Sequence, residues 1–208
     1  SAGATTRTDE LPVVYTRGVT DALDIAISLP WVHSKTTGAA AESGSGAVAL
    51  AAKWRFHEQE NGWSLALKPE IDFGVSAGKE AKGLGDHGTG YGVTLIASTE
   101  TSFGEFHINA GVGRYNDRNT PSDDATSYHF SVAPAWKLND ATLLALDIGL
   151  DHEKTDLSGN DTSHYILLGL VHSPNDDLDL AAGFQKTYGL SGVDSSWMAT
   201  VGVTWRFK

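Results

Sequence analysis

The chain contains no cysteine. That absence fits passage through an oxidising compartment, yet many cytosolic chains share it, so it decides nothing about location. No run of eighteen apolar residues occurs, which excludes a transmembrane helix. Lysine and arginine are few, 15 against 26 acidic residues, and the formal net charge is -11. That balance excludes nucleic acid, or an anionic membrane surface, as the main partner, because both reward basic residues. Helical periodicity of 3.6 is missing over any useful length, which argues against a bundle. The first residues show no charged segment followed by an apolar one, so any signal peptide is expected to have been removed or never present. No Pro/Gly-rich linker divides the sequence, and residues 1–208 are read as one domain.

What the sequence does have is a period of two. In the last stretch Trp197, Ala199, Val201, Val203, Trp205 and Phe207 alternate with Met198, Thr200, Gly202, Thr204 and Arg206. One face carries rings at both ends with small aliphatic residues between them. That is the profile of a strand crossing a bilayer with an aromatic anchor at each interface. A strand in lipid needs partners on both edges, and closing a barrel supplies them. Because only every second residue meets lipid, a mean hydropathy of -0.21 is compatible with such a barrel.

The same rhythm runs through the chain. Leu23, Ile25, Ile27, Leu29 and Trp31 share a face. Val48, Leu50, Trp54 and Phe56 oppose a face of Ala47, Ala49, Ala51, Lys53, Arg55 and His57, and Trp63, Leu65, Leu67, Ile71 and Phe73 alternate with Ser64, Ala66, Lys68, Glu70 and Asp72. A turn pairing His57 with Gly62 would set Ala51 against Lys68, Ala49 against Glu70 and Ala47 against Asp72. Small residues opposite large charged ones suit a confined interior. Further strands are expected around Tyr91, Phe106, Tyr128, Leu144, Tyr165 and Leu178, the facing of residues 165–171 being open. Short turns alternate with longer loops at 36–46, 78–90, 116–126, 153–161 and 188–196, with residues 1–8 also loop. This asymmetry is that of barrels with short periplasmic turns and long external loops. The expected fold is all-β, an antiparallel transmembrane up-and-down β-barrel of about 12 strands. Eleven are countable here, and since even counts with both termini inside are usual, the first is expected to be missing.

The order Pro12, Val13, Val14, Tyr15, Thr16, Arg17, Gly18, Val19, Thr20, Asp21, Ala22, Leu23, Asp24, then Ser28, Leu29, Pro30, resembles the opening of a bacterial family named for the MetA pathway of phenol degradation. Its members carry a similar strand, turn and strand ending near Leu-Pro. The resemblance implies an outer-membrane barrel of transporter or channel type and says little about substrate. Members usually add an N-terminal strand and end on an aromatic residue, whereas here Lys208 follows Phe207.

The inward alternation nominates a lumen lined by Asp24, Lys53, Arg55, Lys68, Glu70, Asp72, His107, Asn109, His129, Lys137, Asp147, Asp151, Gln185 and Arg206, with His57 beside them. Such residues could line a watery path for small solutes, and their mixed signs argue against strong ion selectivity. The same residues could instead form a salt-bridged plug. Pairing Lys137 with Leu143 puts His129 opposite Asp151, with His164 on a nearby strand; an ordinary His–Asp pair is favoured over a metal site or proton gate. No catalytic residue is expected: His107 has no serine at the neighbouring same-face position, and Ser131 and His129 have no oxyanion site beside them. The acidic stretch 151–161 lacks EF-hand spacing, so no metal or cofactor is expected. Trp31, Trp54, Trp63, Tyr91, Trp136, Trp197 and Trp205 read as interface girdles rather than a sugar-stacking set. The function expected is a channel or transporter for small solutes in the bacterial outer membrane. Its partners would be outer-membrane lipid, those solutes and proteins at the loops. The alternatives are a closed barrel acting as structural anchor for other proteins and a secreted β-sandwich.

Overall fold

The computed structural model describes residues 6–60, 62–118, 124–155, 159–190 and 193–206. They form β1 (Thr6–Thr20), β2 (Leu23–Thr36), β3 (Glu42–Ser45), β4 (Ala49–Glu58), β5 (Ser64–Asp72), the short helix α1 (Ala77–Glu80), β6 (Thr89–Thr101), β7 (Gly104–Asn116), β8 (Ala125–Asn139), β9 (Thr142–Thr155), β10 (Gly159–Asn175), β11 (Leu178–Leu190) and β12 (Val193–Trp205). Eleven strands pair in chain order as one curled sheet, with β3 attached beside β2. Every described pairing is antiparallel between neighbours, as alternation joined by short turns dictates. Along this path β1 and β12 run the same way. Among the described residues no pairing joins them. A strand running opposite to both would fit that gap with antiparallel bonding on each side, in agreement with a barrel of about twelve strands.

The two faces of the sheet differ as a bilayer requires. Val201 is 89% exposed, and Leu29, Trp31, Phe130, Ile148, Leu168 and Trp197 are also exposed. The other face holds the buried positions Ala66, Ala135, Ser131 and Tyr165. Leu65, Leu67, Ile148 and Val201 therefore share no protein core. The chain exposes 13313 Å², whereas a soluble monomer of this size exposes about 9,300 Å². That excess is what a single curled sheet with two accessible faces gives. Its rings fall in two tiers, with Trp31, Tyr91, Tyr128 and Trp197 toward the long connections and Trp54, Trp63, Trp136 and Trp205 toward the short turns.

Several local expectations are corrected. Residues 36–46 are not all loop, because β3 pairs with β2 from Trp31↔Ser45 to Ser34↔Glu42. β1 begins at Thr6, inside the stretch 1–8. β9, β10, β11 and β12 extend into stretches read as loops, leaving only residues 156–158 and 191–192 between them. The β4–β5 register lies two residues from the expected one: Ala51 opposes Glu70 and Ala49 opposes Asp72. The turn is longer than expected, with Glu58 opposite Ser64 and the Gln59 amide donating to the Trp63 carbonyl at 2.7 Å; a bulge between Arg55 and His57 then takes back one residue and sets His57 opposite Leu65 of the outer face. The matching of small to large survives the shift. For β8–β9, Lys137↔Leu143 and His129↔Asp151 are the observed pairs. β10 turns Ile166, Leu168 and Leu170 outward, in register with Ile148, Leu146 and Leu144. Phe207 and Lys208 lie outside the described residues.

Val201 stands midway along the apolar face of β12. Val201→Arg should cost about 2–4 kcal/mol for folding in a bilayer, whereas a water-facing position would tolerate the change. Denaturant unfolding in lipid vesicles, against Val201→Leu as control, distinguishes the two.

Candidate functional site

The interior is built from inward positions that the register aligns. Asp24 faces Lys53 between β2 and β4. Lys68 pairs with Glu70 at 2.8 Å. His107 lies 2.9 Å from the Ser98 hydroxyl and 3.2 Å from the Glu105 carboxylate. Asn109 donates to the Ser131 hydroxyl at 3.0 Å. His129 meets Asp151 at 2.7 Å and stacks on Tyr165, with ring centroids 6.1 Å apart. Tyr165 in turn donates to Asp147 at 3.2 Å. Its ring occupies the space above Gly149, where a Cβ would collide with it. Gln185, opposite Leu167, donates to Thr187 at 3.1 Å.

Three nominated residues belong to the short-turn rim. Arg55 donates to the Asp21 carbonyl at 2.7 Å and pairs with Glu58 at 3.2 Å. Lys137 is exposed opposite Leu143, near the end of β8. Arg206 lies beyond β12, bonded to Asp179 and to the Asp176 carbonyl; the carboxylate raises the pKa of this guanidinium above the ordinary arginine value. His164 is in register with Leu150 and Tyr188 on the outer face, away from the His129–Asp151 pair. No group of three metal-binding side chains occurs among the described residues.

Sequence reasoning did not pair Ser98 with His107, because a hydrogen bond between strands leaves no local motif. Ser98, His107 and Glu105 have the residue types of a hydrolytic triad, yet the amides of β6 and β7 around them lie in the ladder from Thr89↔Asn116 to Thr101↔Gly104. An oxyanion needs free donors, and a paired strand offers none. Ser131, fully buried, bonds with Asn109 instead of His129.

The feature that dominates the interior is the β5–β6 connection, residues 73–88, which folds onto the inner face instead of extending away. Leu84, 3% exposed, and Val75 are its apolar anchors, against Val32 of β2. Glycines make room for them: a Cβ on Gly46 would meet Val32, Pro30 and the Leu84 carbonyl, and one on Gly44 would press on Leu84. Gly74 has φ +61° and no space for a side chain beside Gly88, so only glycine fits there. Polar ties complete the attachment. Lys79 donates to the Ser45 carbonyl at 2.9 Å, Lys82 pairs with Glu42 at 3.2 Å, and the Gly88 amide donates to the Tyr115 hydroxyl at 2.9 Å. His87 receives further support, its amide donating to Glu80 at 3.0 Å and its ring meeting the Val75 carbonyl at 2.6 Å. The isolated apolar pair Val75 and Leu84 in a glycine-rich stretch was the available sequence signal.

Beneath this connection lies a cavity of about 550 Å³, bounded by residues of β1, β2, β4, β5, β6 and β7 as well as the loop. Glu10, Asp72, Glu80 and Asp86 line it, and among the described residues no lysine, arginine or histidine does. Mixed signs were expected for the inward face as a whole; the described charged residues lining this cavity are of one sign.

Among solved structures the chain is similar to the NanC porin in a rhombohedral crystal form, with a TM-score of 0.63 and 15% identity over 99% of this chain and 98% of that one. OmpT (folded in vitro), an outer membrane protein of Vibrio cholerae, superposes with a TM-score of 0.49 and 9% identity over 97% and 95% of the two chains, too weakly to carry an argument. No family model matches the sequence and no curated protein does, so the resemblance of residues 12–30 to the MetA-pathway family has no family match behind it. What is shared with the NanC porin is the fold, that of an outer-membrane β-barrel.

Leu84→Asp should detach the connection, since a carboxylate cannot remain in that apolar seat without a partner. Trypsin should then cut after Lys79 or Lys82 in the folded, membrane-inserted protein, while the parent chain resists. Equal resistance in both would mean that Leu84 does not hold the loop.

Proposed function

We propose that this chain is a porin-like channel of the bacterial outer membrane, passing small solutes through a polar lumen narrowed by residues 73–88. The observation that carries the reading is the acidic cavity held open under that connection. A polar wall substitutes for the hydration that hydrocarbon denies a solute, and a tethered loop sets the width. Four carboxylates on the wall of one cavity favour cations and neutral polar solutes over anions. The resemblance of residues 12–30 to a transporter-like family points the same way. A closed anchor barrel is the second reading, supported by how firmly residues 73–88 are packed onto the inner wall. Catalysis has no support in the arrangement of Ser98, His107 and Glu105.

Reconstitution into planar bilayers separates these readings. The channel should give discrete conductance steps and a reversal potential favouring potassium over chloride. Glu10→Gln combined with Asp72→Asn should weaken that preference, and Leu84→Asp should enlarge the steps. A correctly folded barrel without conductance would leave the anchor reading standing.

A further inference from the structure

The outer surface carries its own pattern, independent of the lumen. On β8–β11 the described outward positions are apolar through the middle of the strands and contain no carboxylate. At the end bearing the long connections the first polar outward residue is His152 on β9, His164 on β10 and Lys186 on β11. The register sets Tyr128 against His152, Leu150 against His164 and Ile166 against Lys186. The boundary thus steps two residues per strand, in the sense that tilted strands need for a level membrane surface. Lys154 lies two residues above His152. At the short-turn end of the same strands no outward lysine or arginine is present among the described residues.

These cations rest on rings. The Lys186 ammonium lies 3.9 Å from the Trp197 ring centroid and 5.4 Å from that of Tyr188, and donates to the Ser195 hydroxyl at 2.6 Å. Lys154 lies 5.6 Å from the Tyr128 centroid. His152 meets the Thr162 hydroxyl at 2.7 Å. Arg114 also faces outward, opposite Tyr91 and Thr126, but is ion-paired with Asp124 at 3.0 Å and has its charge answered. No carboxylate answers the two lysines among their described contacts. An ammonium has three donors, so Lys186 retains donors after Ser195 takes one. A cation at the edge of hydrocarbon is costly unless a headgroup anion meets it.

We infer that the outward rim of β8–β12, with Lys154 and Lys186 seated on Tyr128, Tyr188 and Trp197, is a binding site for the phosphate groups of anionic lipid headgroups in the external leaflet. The rings and the apolar band below them take the acyl chains, and the ammonium groups take the phosphates by charge-assisted hydrogen bonds. The net charge of -11 argues against an anionic surface only as a sum. Among the described residues the carboxylates of this arc, Asp151, Glu153 and Asp161, alternate with its outward positions and Asp124 is paired with Arg114, which leaves the outward face basic. The inference rests on the barrel being membrane-inserted with its long connections outside; it does not depend on conduction.

The test uses the full chain in vesicles of phosphatidylcholine with or without bisphosphorylated lipid A, followed by native mass spectrometry of retained lipid. Lipid A should be retained in preference to phosphatidylcholine. Lys154→Gln with Lys186→Gln should reduce that retention about thirtyfold, while the inward Lys53→Gln with Lys68→Gln leaves it unchanged. Equal retention in both double variants, or displacement of lipid A by millimolar inorganic phosphate alone, overturns the site. Failure of the parent chain to insert into vesicles would overturn the barrel reading with it. Insertion with retention indifferent to the two outer lysines overturns this inference only.

Discussion

Hydrocarbon offers backbone amides and carbonyls nothing to bond with, and most features of this chain follow from that single constraint. Each strand must spend its hydrogen bonds on neighbours, so the sheet grows in chain order from β1 to β12 and curls. Curling gives every strand a convex and a concave side. Alternation then sorts side chains: leucine, valine and the rings outside, small or polar residues inside. A soluble sandwich faces no such requirement and would hide residues such as Val201 in a core. The few buried apolar residues here are largely small ones or those beneath the inward connection.

How much of this could be read from residues alone depended on the length and chemistry of each turn. The β8–β9 pair was legible because Asn139 and Asp140 mark a tight reversal, after which His129 and Asp151 follow by counting. β4–β5 was not, because its turn closes at Glu58 and Ser64 instead of His57 and Gly62 and a bulge beside Phe56 leaves no compositional trace, the two together displacing the register by two. The facing of β10 stayed open since Leu167 and Val171 are as apolar as Ile166 and Leu168. What resolves it is cross-strand geometry, with Tyr165 filling the vacancy over Gly149. Strand ends were underestimated wherever polar residues continued the ladder beyond the apolar band, as at Thr155 and Gly159. Which positions face inward followed largely from alternation, but their grouping did not. Arg55 and Arg206 belong to a rim, and the acidic cavity depends on Glu80 and Asp86 from a connection whose inward fold is set by tertiary contacts.

That connection and the outer rim show two ways in which one barrel handles charge. Inside, carboxylates accumulate where water reaches them, around a space closed by Leu84 and Val75. Outside, lysines are confined to the boundary where rings can shield them and lipid can answer them. A single number for net charge conceals both arrangements.

The seat of Tyr165 over Gly149 has a consequence for the interior. The ring takes room that a larger residue at position 149 would claim, since even one added carbon collides with it. Any such residue must swing the ring toward the axis, and with it the hydroxyl that meets Asp147 and the face that stacks on His129. Free width at that level is set by one missing methyl group.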